Sequence, residues 1–454
     1  MIGYREARLI LTLIICIGLV VGCSTASPKA EELSGHVKIM FTSQDFFDRS
    51  YGNLFTSKFP GIHVEVTSTN GLRNSDGLDP NQVLDDYINR EQPDVLVLNQ
   101  SQFQHLASNG HLEELEIMVA EKNFMQEDIL PSVLRRLRGF GEGKLFGLSP
   151  TFSGTAIYYN RDLFEHYGVQ LPQDKLTWSE MLEISKRFPV NEPNEDSVFG
   201  FTWETNDPYN LALTIGIIQG LDFADPNRQK LVMNSPSWTE IFNFTTDAFK
   251  SGTIYTPELA SKVGLDRSDR LRSNSFIMGK TAMTLGGPEL GRYIDRAKEE
   301  VDQYEPFQWG ILSEPIDPSN PSYGTITLNQ IYCVRADSPN KDAALELIKF
   351  INSDSVAKMD SRINNGNLQS RTKYNSNKEG VSYDPFYTLE IREQSRYITM
   401  PLGFNEPFNK LASKELRKVV DGKTSLDDAV NHIQSEGQII LDTVNLKAKA
   451  DKDS

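Results

Sequence analysis

The sequence predicts an α/β protein built as two doubly wound lobes, and three observations carry that prediction. Strand-like and helix-like stretches alternate from His36 onward. DVLVL, Asp94 to Leu98, is a continuous apolar run of the kind that a strand buried on both faces requires. The chain has 454 residues, more than the roughly 250–300 at which a single core stops growing. With 39% hydrophobic and 10% aromatic residues, the chain has the material for two cores and is not a disordered polymer.

At the N-terminus, Arg5 and Arg8 precede an apolar run from Leu9 to Val21. That run is shorter than the ~20 residues a membrane-spanning helix needs and reads as a signal peptide. Val20-Val21-Gly22-Cys23 resembles the lipobox of bacterial lipoproteins, with Val where Leu is commoner. The resemblance implies cleavage after residue 22 and lipid on Cys23, leaving 23–33 as a flexible polar tether. The other reading is an ordinary cleavage site or an uncleaved anchor. With Cys16 in the signal peptide and Cys23 acylated, Cys333 is alone, so no disulfide can form within one chain. Cys333 lies in the strand-like ITLNQIYCVRA and is expected to be a small buried side chain.

HVKIMFT, DFFDRSYGNLFTSKF and IHVEVTS, running from His36 to Ser68, form a β-α-β unit, and the Pro60-Gly61 pair breaks the helix before its second strand. NQVLDDYINRE is a second helix leading into DVLVL, so a parallel sheet is expected. In such sheets ligands bind beyond the carboxyl ends of the strands. That places Gln44, Asp45 and Phe46, and Asn99 with Ser101, at a cleft edge. Further on, FSGTAIYYN reads as a strand and RDLFEHYG as a helix stopped by Gly168. Thr177 and Glu180 form a capping box. Trp203, Glu204, Asp207 and Tyr209 share a turn-prone segment before the apolar LALTIGIIQG. KDAALELIKFINS and SLDDAVNHIQSEGQIILDTV are amphipathic helices, and KAKADKDS is a tail expected to fray.

A formal charge of −16 excludes a nucleic-acid binder unless bases cluster strongly. The densest basic group, Arg135, Arg136 and Arg138, reads as a solvated helix face. No HExxH, GxxxxGK[ST], GxSxG or strand-linked GxGxxG occurs, and His105 and His111 are six apart, off a common helix face. No metal and no cofactor is expected. No pair of carboxylates is singled out for glycoside hydrolysis, so no catalytic residue is assigned.

Several segments in order, HVKIMFTSQD with SKFPGIHVEV, QPDVLVLNQSQFQHLASNGHLEEL, GKLFGLSPTFSGTAIYYNRDLFEHYGV with TWSEML, GKTAMTLGGPELG, VRADSPNKDAALELIKFINS and GKTSLDDAV, resemble the extracellular solute-binding proteins of ABC importers. The likeness is to the carbohydrate-binding family that includes maltose-binding protein. It implies a type II periplasmic-binding-protein fold, two α/β lobes joined by a hinge with the ligand cleft between them. It also implies chain crossings near Phe152–Gly154, within KTAMTLGGP, and near Cys333–Ala336. The lobes are then 34–152 plus 286–333, and 153–285 plus 334–454.

The same resemblance, with the need of a sugar for flat aromatic faces and planar polar groups, implies the ligand residues. They are Gln44, Asp45 and Phe46; Asn99, Ser101 and Gln102; Phe152 and Ser153; Trp203, Asp207 and Tyr209; Gly287 and Glu289; Arg371; and Phe404, Glu406 and Phe408. Leu98 and Glu289 stand where the maltose binder places aromatics, which argues against maltodextrin. Second readings stay open: Trp203, Phe408 and Phe46 as core aromatics, Arg371 as an ion-pair partner, Asp45 and Asp207 as helix caps, and Glu289 as a first-turn acid. The implied function is a lipid-anchored, extracytoplasmic, monomeric binding subunit that delivers a mono- or oligosaccharide to an ABC permease. The rivals are an exported lipoprotein enzyme such as a glycosidase, or a binder of a non-sugar solute or for sensing.

Overall fold

The computed structural model describes residues 34–74, 79–120, 124, 129–189, 197–203, 205–256, 266–363, 366–375, 381–391, 400–401 and 403–453. Cys23, with the signal peptide and tether, lies outside the described residues, as does Glu204.

The strands in the first half are β1 (Gly35–Phe41), β2 (Ile62–Ser68), β3 (Val95–Leu98), β4 (Gly147–Leu148), β5 (Thr151–Gly154), β6 (Ala156–Asn160) and β7 (Phe199–Thr202). Those following are β8 (Ile254–Tyr255), β9 (Thr281–Gly286), β10 (Trp309–Ser313), β11 (Tyr323–Gly324), β12 (Ile326–Thr327), β13 (Ile331–Val334), β14 (Leu368–Gln369) and β15 (Glu390–Ile391). Two five-stranded sheets result, in the orders β2-β1-β3-β13-β4 and β10-β6-β9-β7-β8.

The β-α-β unit read from the N-terminal segment forms as expected. β1 and β2 are parallel, from Gly35 opposite Ile62 to Phe41 opposite Ser68, and β3 adds in parallel on the other side of β1. Beyond β3 the sheet turns mixed, since β13 runs antiparallel to both β3 and β4. The second sheet is mixed as well: β9, β7 and β8 are parallel, and β6 runs against both β9 and β10, its two neighbours.

Between the sheets lies a small sheet made of the crossings themselves. β5 links β4 of the first sheet to β6 of the second, β12 links β10 to β13, and both pair antiparallel. β14 pairs with the other edge of β5, on the chain's last passage toward the helix Asn405–Val420. The first expected crossing is therefore β5. The other two move: KTAMTLGGP is β9, interior to the second sheet, and Cys333 sits in the first sheet, with β12 as the true return. β9 looks like a linker in sequence because Gly286-Gly287-Pro288 ends it sharply, yet Ala282 and Met283 are fully buried.

The expected lobe boundaries shift accordingly. β10 belongs with the second sheet although it lies in 286–333. The helix Lys341–Ile351, within 334–454, packs Ala344, Leu347 and Ile348 into the core of the first sheet. β6 is buried on both faces: Tyr158 joins the cluster continuous with the first lobe, and Ile157 and Tyr159 face the second cluster. Cys333 is fully buried, and burial pushes its thiol well up. The C-terminal segment stays helical to Asp453 rather than fraying. Arg136 is buried with its guanidinium 4.6 Å from the centre of the Phe140 ring, so it is not on a solvated face.

Candidate functional site

The tip of β1 leads into a short helix, Gln44–Phe47, capped by Ser43, whose hydroxyl accepts from Phe46 N at 3.3 Å. Gln44 is committed to the fold: its oxygen accepts from Val66 N at 3.0 Å and its nitrogen donates to Asp48 at 3.0 Å. Asp45 and Phe46 are exposed, Phe46 at 45% with its ring stacked 5.7 Å from that of Phe41. At the tip of β3, Asn99 and Gln102 satisfy each other in a reciprocal capping box, both bonds 3.0 Å. Ser101, exposed in that first turn, remains open to solvent. Leu98 is fully buried in β3, so no ring at that position could meet a ligand.

In the second lobe most of the aromatic candidates hold the core. Tyr209 is 2% exposed, its ring edge-on to Phe408 at 6.1 Å and its hydroxyl donating to Asn409. Phe408 is fully buried and stacked 4.8 Å from Phe404. Asp207 caps the helix Pro208–Gln219, accepting from Tyr209 N at 2.9 Å, while its second oxygen accepts from the Ser413 hydroxyl at 2.6 Å. Phe152 is 1% exposed in β5, edge-on to Tyr387. Arg371 is buried too: Nε and Nη2 both donate to Asn352 O at 2.8 and 2.6 Å, and the guanidinium lies 5.5 Å from the Phe124 ring centre. Asn352 ends the helix Lys341–Ile351, so Arg371 neutralises the negative end of that helix and pins β14 there. Tyr209, Phe152, Phe404, Phe408 and Arg371 are thus packing residues, because each aromatic finds another ring and each polar group an internal partner. Trp203 is half-buried, edge-on to Trp178 at 6.3 Å, and its indole N–H has no partner among the described residues.

The stretch after β9 stays open. Gly287 O accepts from the Tyr158 hydroxyl at 2.9 Å, and a side chain at Gly287 would collide with the Glu289 carboxylate. Glu289 opens the helix Glu289–Glu300, half-buried, with Gly366 closing over its Cβ at a positive φ of +83°. Beside it is a cavity of about 370 Å³ lined by Glu289, Tyr293 and Arg296 from one helix and by Arg267, Arg270 and Asn274 from the segment opposite. A smaller polar crevice, about 30 Å³, lies between Pro288 and β14 with the preceding Asn367, and Tyr374 and Tyr383 line it too. Gln369 is 4% exposed and its Oε1 has no partner among the described residues. Apart from Glu289, sequence reasoning missed these residues. Positions 289, 293 and 296 recur at helical spacing, as do 267 and 270, and that was the signal available. Ser153 is half-buried in β5 opposite Thr327, and Glu406 is exposed in the first turn of the helix Asn405–Val420. Among the described residues, no group of His, Cys, Asp and Glu could hold a metal, and no helix is long and apolar enough to cross a membrane.

Two lobes woven together by three hydrogen-bonded crossings, with exposed polar groups at strand tips, define a hinged binding protein. The profile of the bacterial extracellular solute-binding proteins matches residues 41–358, and the chain belongs to that family. Among solved structures it is similar to the sugar-binding protein MalE from Xanthomonas citri, with TM-score 0.64 and 16% identity over 91% of this chain and 99% of that one. It is also similar to a solute-binding protein from Agrobacterium vitis with bound D-mannitol, with TM-score 0.57 and 18% identity over 90% and 98%. At these identities the likeness is one of fold. Among curated proteins it is 25% identical over 215 residues to the mannitol-binding protein of Pseudomonas aeruginosa, 46% of each chain. It is 24% identical over 230 residues to a putative binding protein of Brucella abortus. The chain spans about half the length of the curated relatives it matches.

Proposed function

We propose that this protein is the substrate-binding subunit of an ABC importer, taking a mono- or oligosaccharide or a related polyol between its lobes and handing it to the permease. The observation that carries the reading is the crossing sheet β12-β5-β14. Three tethers lying side by side let the lobes rotate together about one line while each stays rigid, which is what closure on a small ligand demands. Ligand contact with both lobes favours the closed form by differential affinity, and that form docks on the permease. Among the ligand residues expected from sequence, Asp45, Phe46 and Ser101 on the first lobe and Gly287, Glu289 and Trp203 on the second remain available for this role. Ser153 in the crossing strand and Glu406 keep the same assignment. Cys23 carries the lipid, and stable anchoring takes more than one acyl chain. The protein works outside the cytoplasmic membrane, as a monomer, with no cofactor and no covalent step.

A thermal-shift screen of the mature protein against monosaccharides, oligosaccharides and polyols tests this, since a ligand that binds only the folded state stabilises it by RT ln(1 + [L]/Kd). A saturable rise in melting temperature with one of them, without product formation, is the expected result. Turnover of a glycan would replace the reading with the glycosidase one. Silence across the panel, with a response to peptides or other solutes, would remove the saccharide.

A further inference from the structure

We infer that the saccharide bound by this protein is anionic, and that its acidic group enters the recess between the helices Arg267–Arg272 and Glu289–Glu300. The inference rests on the saccharide-binding reading above and names the ligand class.

The recess, about 370 Å³, falls within the ~300–1,000 Å³ usual for small-molecule sites. It has the usual composition of one: an apolar floor that includes Leu271 and Leu290, an aromatic ring at Tyr293, and a few converging polar groups. Its charge is the unusual part. Three guanidinium groups, Arg267, Arg270 and Arg296, line it against one carboxylate, Glu289, in a chain whose formal charge is −16. Like charges gathered round one concave space repel each other, and the repulsion grows as water is displaced. Internal compensation is partial. Arg267 and Arg296 share one oxygen of Glu300, at 3.5 and 3.6 Å, beyond the length of a good charge-assisted hydrogen bond. Arg270 has no carboxylate partner among the described residues, although Asp and Glu outnumber Lys and Arg by 62 to 46. Glu289, the counter-charge in the lining, has its carboxylate folded over Gly287.

Guanidinium groups present forked donors that match the two oxygens of a carboxylate or the oxygens of a phosphate. Gly286, at the tip of β9, and Glu289 both line the recess. A ring seated at that tip would bring an acidic substituent within the space that Arg267, Arg270 and Arg296 line, the first two of them solvent-exposed. Uronates and sugar phosphates share this chemistry.

Titration calorimetry on the mature protein with matched sets tests it: glucose, glucuronate and glucose 6-phosphate, with the galactose and mannose sets beside them. In at least one set an anionic member should bind about tenfold or more tighter than its neutral parent, the scale of one charge-assisted hydrogen bond. Whether uronate or phosphate leads identifies the source of the anion. Raising the salt should narrow the preference. Arg270→Gln should remove most of it while keeping the unliganded melting temperature, and Arg296→Gln is the second variant should the first fold poorly. Neutral parents binding as well as their acids, or an unchanged preference in both variants, would overturn the inference and leave the saccharide reading standing. Silence from every member, neutral and acidic, would count against both.

Discussion

Two corners of the second lobe look alike in sequence and differ in the fold. One holds Asp207, Tyr209 and Phe408, an acid beside aromatic rings, which has the composition of a sugar site. There the side chains spend their chemistry on one another: Asp207 caps a helix and holds Ser413, and Tyr209 and Phe408 pack edge-on. The other corner, around Glu289 and the facing arginines, carries fewer rings but retains an open volume and guanidinium charge that the protein neutralises only in part. The difference teaches that residue type nominates a site, whereas unspent valence identifies one.

Substitutions can break or sharpen that contrast. Phe408→Ala should be the most damaging, since it empties a fully buried ring position. The expected loss is about 3–5 kcal/mol of stability in urea denaturation. A stable Phe408→Ala protein with weakened ligand binding would return this corner to the site.

A third closed place, at the crossings, tests the cost of burying an acid. Glu314 follows β10 and accepts hydrogen bonds from Thr325 N and, at 2.7 Å, from the Thr325 hydroxyl. Burial pushes its carboxyl up to about 7 against the pull of those two bonds. The unfolded chain ionises this group near pH 4.5 and the folded protein only near 7, so its contribution to stability falls as pH rises through that window and is level above it. Glu314→Gln keeps the shape without the charge. Measured by denaturation, its stability relative to the parent should improve by up to about 3 kcal/mol between pH 4 and pH 8. A constant difference across that range would mean Glu314 stays ionised.

Asp207→Ala is expected to cost about 1–2 kcal/mol through the lost cap and the stranded Ser413 hydroxyl, with ligand affinity unchanged. Arg270→Gln, on the open side, should change stability by no more than about 0.5 kcal/mol, and calorimetry should show its effect in binding alone.

Much of the fold was legible because local signals and global arrangement agreed. The β1–β2 unit, the capping box at Thr177 and Glu180, and the helix stopped at Gly168, where φ is +62°, each follow from residues a few positions apart. The crossings were less legible, because which strand leaves a sheet is decided by partners far along the chain: Ile326 pairs with Gly154 and Leu368 with Phe152. The same reason hid the fate of Arg371. Nothing within several residues of it announces that Asn352 O will lie 2.8 Å from its Nε. Side chains on short exposed turns, Asp45 and Phe46, were placed correctly at a strand tip, since there sequence position and spatial position coincide.

The claim beneath all of this is that the lobes turn about the β12-β5-β14 sheet to enclose a small solute. Small-angle scattering of the mature protein, with and without the saccharide that gives the largest thermal shift, addresses it most directly. A smaller radius of gyration in the bound state is predicted. An unchanged scattering profile at saturating ligand would contradict the account.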